Sequence, residues 1–273
     1  MKKTLFLLIA VASTAFIFAQ NNSPLKLIKG QQYLVENKIV TANTIQMQGQ
    51  AMDNNTDMFS TYKIEVTGHD GNKYNLTNTI TNIKMNVSMM GQEMSFDSDK
   101  EDDMNGQMGS AFKGLINQPK QIQLDKSGKV LTSGSDSLSG MMKELNFDAA
   151  GFGSQLAFQP LPASLKKGTT WKDTNDDEGN SRTTTYTVTE INGNMATITF
   201  NGNLSTENTI EQAGMELKQK TAGSYSGEEV VDIKTGIIQT NSTTTNATGA
   251  VTAMGQDLPI TTKVTSTTTV KLL

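Results

Sequence analysis

Two short strings come nearest to a nucleophilic site. Ser164-Leu165-Lys166-Lys167 matches S-x-x-K and Lys234-Thr235-Gly236 matches K-T-G, two of the three elements of a serine β-lactamase. That chemistry needs the serine at the start of a buried helix, so that the lysine one turn on can reach it. Here the tetrad follows a proline and leads into Gly168 and a strand, and Lys234-Thr235-Gly236 reads as a hairpin turn. The serine–asparagine element is missing between them, so the match is coincidence. A calcium candidate, Asp173, Asn175 and Asp177, has the one-three-five spacing of an EF-hand loop. Glycine at the sixth place and glutamate at the twelfth are replaced by Glu178 and Thr184, which leaves a solvated acidic loop as the plainer reading. Asp97, Asp99, Glu101, Asp102 and Asp103 form a second such cluster. His69 stands in a polar turn beside Asp70 with no serine elbow or second histidine to work with.

Methionine is the residue type that points furthest. Fourteen remain after the initiator, and eleven of these fall between 47 and 142. A flexible thioether fills irregular gaps in a core, and the same flexibility can line a groove for an acyl chain or a partner segment. On the second reading the ligand-binding candidates are Met85, Met89, Met94, Met104, Met108, Phe112, Met141 and Met142.

The composition narrows the chemistry further. Cysteine is absent and His69 is the single histidine, so thiolate nucleophiles and multi-histidine metal sites are excluded. Arg182 is the single arginine beside 22 lysines, and the net charge is −4. Nucleic-acid readers need bidentate arginine forks and a cationic surface, so no nucleic acid is expected. No metal, no cofactor and no catalytic constellation are expected, and a hydrolase ranks behind two kinds of binder.

The elements that would position these residues are strands. Tyr62, Ile64 and Val66 alternate with polar neighbours, as do Ile83, Met85, Val87 and Met89, and Val264, Val270 and Leu272. Tyr74, Leu76 and Ile80 are in the opposite phase to Ile83, which predicts a bulge near Thr81-Asn82. Threonine occurs 26 times between 169 and 273, and its branched β-carbon suits a pleated, half-wet surface. Turns are predicted at His69-Asp70-Gly71-Asn72, Asp125-Lys126-Ser127-Gly128, Asn192-Gly193-Asn194 and Asp232 to Gly236. A second turn type recurs at Gly49, Gly91, Gly214 and Gly255, glycine leading through polar residues to Met or Leu. Apolar spacing predicts helices over 104–116 and 137–147. The expected fold is mainly β: a curved antiparallel meander or half-barrel of 12 or so strands, with one or two short helices packed on it.

The halves also resemble each other. Lys29-Gly30-Gln31-Gln32-Tyr33 parallels Lys167-Gly168-Thr169-Thr170-Trp171 at an offset of 138, whereas pairing Gly49 with Gly214 gives 165. A repeated hairpin unit follows, and a duplication of halves is suggested. The stretch Gly151 to Pro162 reads as the linker, giving an N-terminal β half over 20–159 with two short helices and a Thr-rich C-terminal half over 160–273.

Residues 1–19 read as a signal peptide. Lys2 and Lys3 form a basic n-region, Leu5 to Phe18 an apolar run, and Ala19 the cleavage edge before Gln20. The run is too short for a lasting span, and no later segment approaches transmembrane length, so no membrane span is expected once the signal is removed. Missing cysteine means no lipobox. The expectation is an exported protein of a bacterial envelope, periplasmic or secreted, and not a lipoprotein.

The motifs Leu27 to Tyr33, Asp125 to Gly128, Asp232 to Gly236, and Leu161-Pro162 leading into Lys167 to Trp171 carry a resemblance. The chain resembles exported β-rich proteins of Bacteroidota that share a domain of unknown function. More distantly, a β-meander curved around helices is similar to periplasmic lipoprotein carriers, whose half-barrel shelters acyl chains. These readings imply a non-catalytic envelope protein holding an apolar, lipid-like molecule in a Met-lined concavity. The alternative is a structural or interaction module that binds another envelope protein or a glycan.

Overall fold

A computed structural model describes residues 22–23, 25–133 and 157–273, apart from positions 48, 90–91, 127, 129, 178, 213–214 and 254. The signal segment and the helix expected over 137–147 lie outside the described residues. Period-two patterning becomes strands of unusual length: β2 (Gln32–Met47), β3 (Gln50–Asp70) and β4 (Lys73–Met89) in the first half. The second half contributes β9 (Thr170–Asp177), β10 (Asn180–Asn192), β11 (Met195–Gln212), β12 (Met215–Asp232), β13 (Ile237–Ala253) and β14 (Gln256–Leu272). Shorter elements are β1 (Asn22–Ser23), β5 (Gln92–Asp97), β6 (Pro119–Asp125), β7 (Val130–Ser133) and β8 (Leu161–Pro162). At about 3.4 Å per residue the longest strands run roughly 55–70 Å.

Twelve strands form one open antiparallel meander, in the order β7-β6-β4-β3-β2-β14-β13-β12-β11-β10-β9, with β5 on the outer part of β4. The last strand therefore lies beside the first long one, paired from Ile260↔Ile45 to Leu272↔Tyr33, and the two halves share one continuous sheet. The register slips between Thr61 and Tyr62, whose partners are Asn82 and Ile80, so Thr81 is the extra residue of the expected bulge. Its hydroxyl donates to the Thr61 carbonyl.

The two turn types sort to opposite ends. Antiparallel strands alternate direction, so the Asp-Gly turn at 70–73, the Asn-Gly turn at 192–195 and the Asp232-to-Gly236 turn fall at one end. The hairpins after Met47, Met89, Gln212 and Ala253 fall at the other. Side chains at the first end are buried and those toward the second are progressively exposed, as the run from Gln50 to Val66 in β3 shows. Two apolar clusters fill the buried end. One joins Tyr33, Tyr62, Leu76, Met85, Phe96 and Phe112 with their neighbours, and the other joins Trp171, Tyr186, Val188, Ile198, Phe200 and Tyr225 with theirs.

Hydrogen bonding resolves the repeat. Gly30 (φ +88°) donates to the Val66 carbonyl at 2.8 Å, and Val66 donates back to Gln31 at 2.9 Å. Gly168 (φ +85°) and Val188 make the same frame with Thr169, at 2.8 and 2.9 Å. Left-handed backbone at both openings calls for glycine. The bulge between Val66 and Gly68 has its counterpart between Val188 and Glu190, and that between Gln123 and Leu124 between Val230 and Val231. The offset thus runs 138, 122 and 107 along the chain, and Gly49 matches Gly179, not Gly214. The first drop arises because β9 and β10 are each eight residues shorter than β2 and β3. The second arises because β5 and β6 share the place that β12 fills alone, split by the segment holding the helices.

That segment carries α1 (Glu101–Asn105) and α2 (Gln107–Phe112) where one helix over 104–116 was expected. The helix starts earlier because three acids, Glu101, Asp102 and Asp103, occupy the first turn, where the helix dipole favours negative charge. It breaks at Gly106, which is extended at ψ −178°. Residues 157–162, at the end of the expected linker, are packed: Phe158 bridges to Ile237 and β8 pairs with β1. Among the described residues no helix is long and apolar enough to cross a membrane.

Candidate functional site

The face that carries the buried side chains, the inner face, is where chemistry concentrates. A row of polar residues crosses it, each the direct cross-strand partner of the next: Ser60, Asn37, Thr268, Asn241 and Glu229 on β3, β2, β14, β13 and β12. Ser60, Asn37, Thr268 and Glu229 are 0 to 2% exposed. The Thr268 hydroxyl donates to Asn37 Oδ1 at 3.1 Å, and Ser60 donates to the Tyr62 hydroxyl at 3.0 Å. Asn241 Nδ2 donates to Glu229 Oε2 at 3.3 Å, while Glu229 Oε1 has no partner among the described residues. Burial disfavours the charged carboxylate more strongly than this one hydrogen bond favours it, and the Glu229 pKa is pushed up to about 8. Glu229 is therefore a neutral acid at pH 7.

Beside it on β9 to β12 runs an aromatic ladder. Trp171 stacks on Tyr186 at 5.0 Å, Tyr186 leans on Phe200 at 5.8 Å, and Phe200 on Tyr225 at 6.4 Å. Arg182 caps it, its guanidinium 5.8 Å from the Tyr225 centroid. The Tyr225 hydroxyl is tied to Thr184. Burial, reinforced by Glu229, raises the Tyr186 pKa to about 12.

Toward the far hairpins the inner face of β2, β3 and β14 continues as Thr41, Asn43, Ile45 and Met47 beside Thr56, Asn54 and Met52, and Val264, Thr262, Ile260 and Leu258. These side chains are sheltered to intermediate degree or, at Ile260, buried; Met47 alone is 39% exposed. The opposite face of the same strands bears Asp53, Asn55, Asp57, Lys263 and Thr261, all exposed. Asn43 and Asn54 are direct partners, and each holds a sheltered Oδ1 with no hydrogen-bond partner among the described residues. Two shallow troughs lie on the polar face instead, one lined by Asn201, Asn203, Ser224, Ser226, Thr244 and Asn246 and the other by Asn55, Asp57 and Glu93 with their neighbours.

The methionine candidates divide. Met85 is 2% exposed, pairs with Met58 and Phe96, and sits in the first cluster; Phe112 stacks on Phe96 at 4.9 Å. Met104 and Met108 pack against the same cluster, so these four share one apolar core, with Met85 and Phe112 directly on Phe96. Met94 stands apart at 43% exposure. Met89 belongs to β4, its side chain outside the described residues, as are Met141 and Met142. Asp173, Asn175 and Asp177 lie along β9 itself and not in a loop. Alternate residues of an extended strand are about 6.8 Å apart and do not converge on an ion. No group of three acids or histidines is placed to hold a metal among the described residues.

Sequence reasoning missed the polar row and the ladder. A signal was present: Tyr225, Gly227, Glu229 and Val231 share one phase, which sends Glu229 inward and Glu228 outward. The Asn43–Asn54 pairing was only half traceable: the turn at Gly49 puts both in one hairpin, but the loop length that sets them opposite each other is seen in the structure.

Lipovitellin, solved for its lipid–protein interactions, has a similar fold over 90% of this chain, with a TM-score of 0.51 and 14% identity. This chain spans 25% of the lipovitellin chain. An outer membrane channel from Pseudomonas putida F1 aligns over 90% of this chain and 97% of its own, at 8% identity and a TM-score of 0.27. No curated protein matches the sequence. The family model described as a family of unknown function, DUF6263, matches residues 71–159 and 155–238.

Proposed function

The chain belongs to the DUF6263 family of unknown function, and from that premise we propose an exported, non-catalytic binding protein of the bacterial envelope. Its ligand is apolar and lipid-like, laid along the inner face of the sheet toward the far hairpins. One observation carries this reading: the sheet stays amphipathic beyond its core. Ile45, Met52, Leu258, Ile260 and Val264 continue the inner face over a stretch where the other face is charged and wet. Apolar side chains on an open sheet lower free energy only when something covers them, at about 25 cal/mol per Å² removed from water. The fold similarity to lipovitellin, whose structure concerns lipid–protein interactions, agrees with a sheet in that role. The binding surface differs from the methionine set read from the sequence: Met85 and Phe112 belong to the packed core, and Met47 and Met52 to the face offered to a ligand.

The test is native mass spectrometry of the protein purified from cell envelopes, with fluorescent fatty-acid uptake measured in parallel. Bound lipid, and uptake lowered at least tenfold by Met47→Asp/Met52→Asp, are expected; ligand-free protein with unchanged uptake would overturn the reading.

The trough of hydroxyls and carboxamides between Asn201 and Asn246 favours a second reading, an uncharged glycan bound on the polar face. Ser226→Trp, which fills that trough, would abolish retention on a glycan array if so and leave lipid uptake untouched.

A further inference from the structure

We propose that the Asn43–Asn54 pair is the head-group site of an uncharged amphiphile that donates hydrogen bonds; this rests on the inner-face reading above. The two residues face each other across β2 and β3. Each presents a sheltered oxygen with no partner among the described residues. A sheltered acceptor without a donor is costly, and two side by side on one face amount to a standing demand for donors.

Their surroundings fix the class of ligand. Thr41 and Thr56 lie one step nearer the core, and Thr262 is the cross-strand partner of Asn43 on the other side. Ile45, Met52 and Ile260 lie one step farther out, with Met47 and Leu258 beyond. Polar atoms thus give way to a partly exposed apolar strip toward the hairpins, whereas on the core side Ile39 and Met58 are already packed in the first cluster. The inner face of β2, β3 and β14 from Thr41 to the hairpins holds no charged side chain, so nothing there neutralises a carboxylate or phosphate. A carboxylate would also set acceptors against acceptors. Hydroxyl or amide head groups supply what the two oxygens lack, and the alkyl chain runs outward over Ile45 and Met47. Glu229 is separate from this site, four strands away from Ser60 in the buried row.

The test uses the full mature chain and two probes of equal chain length, a monoacylglycerol and the ionised fatty acid, with Asn43→Val/Asn54→Val as the variant. Valine suits a strand, and thermal melts verify folding; the single variant Asn54→Val serves if the double one fails to fold. Wild type should prefer the monoacylglycerol by about tenfold or more, the value of one unmet hydrogen bond. The variant should bind both probes within about twofold, its affinity for the acyl chain retained. A preference that survives in the variant, or equal binding by wild type, overturns the head-group site and leaves apolar binding standing. Failure of wild type to bind either probe, or binding that ignores Met47→Asp/Met52→Asp, overturns both.

Discussion

Replacing Glu229 by glutamine isolates the buried acid. The folded pKa is about 8 against an ordinary 4.5. Below pH 4.5 the acid is protonated in both folded and unfolded chains, and its contribution is fully present. Between pH 4.5 and about 8 only the folded chain keeps the proton, so stability falls as pH rises, by about 1.4 kcal/mol per unit. Summed over that window the loss is about 5 kcal/mol, and above pH 8 it stops growing. Glutamine keeps the oxygen that accepts from Asn241 but never ionises. Glu229→Gln should match wild type near pH 4 and exceed it by several kcal/mol at pH 8, about 10–20 °C in Tm for a chain of this size. Urea and thermal unfolding followed by circular dichroism from pH 4 to 9 would measure it. Parallel stability curves for the two proteins would refute the reasoning, because they would mean that the folded chain ionises Glu229 as freely as the unfolded one.

Phe112→Ala should cost about 3–5 kcal/mol in chemical unfolding, since the ring is 2% exposed and stacked on Phe96. Gly30→Ala and Gly168→Ala should each destabilise by about 1–2 kcal/mol, and by similar amounts, because both openings hold left-handed backbone in the same hydrogen-bonded frame. Unequal losses would argue against equivalent halves. Calcium and chelator should both leave Tm unchanged, since Asp173 and Asn175 lie on an extended strand; a rise with calcium would show that the strand end rearranges to bind it.

Some features were legible because they are local. Phase opposition between Leu76 and Ile83 predicts an extra residue, and Thr81 supplies it. Asp-Gly and Asn-Gly turns read directly as hairpins for the same reason. The helix over 104–116 was read from apolar spacing alone, which overlooks the acids that start it at Glu101 and the extended Gly106 that breaks it. The repeat was half legible: the matched openings were correct, but glycine hairpins of similar sequence suggested a false offset. Only the hydrogen-bonded frames and bulges show that β9 and β10 are shortened and that β5 and β6 divide the place of one strand.

Alternation and turn chemistry by themselves determined that this chain makes long antiparallel strands, and which side of each strand is inward, because the side-chain period of a strand is a property of its own backbone. They placed Met85 in the inward phase, and the same alternation, unread for Glu229, sends that acid inward as well. The tertiary structure decided which strands lie side by side. It put the last strand against the first, aligned Ser60, Asn37, Thr268, Asn241 and Glu229 into one row, and set Asn43 opposite Asn54. Where β14 meets β2 the partners are 215 to 239 residues apart, and no local rule reaches so far. Burial at one end of the sheet, and the half-covered apolar face at the other, follow from that assembly, since shelter from water belongs to the packed sheet and not to any strand within it.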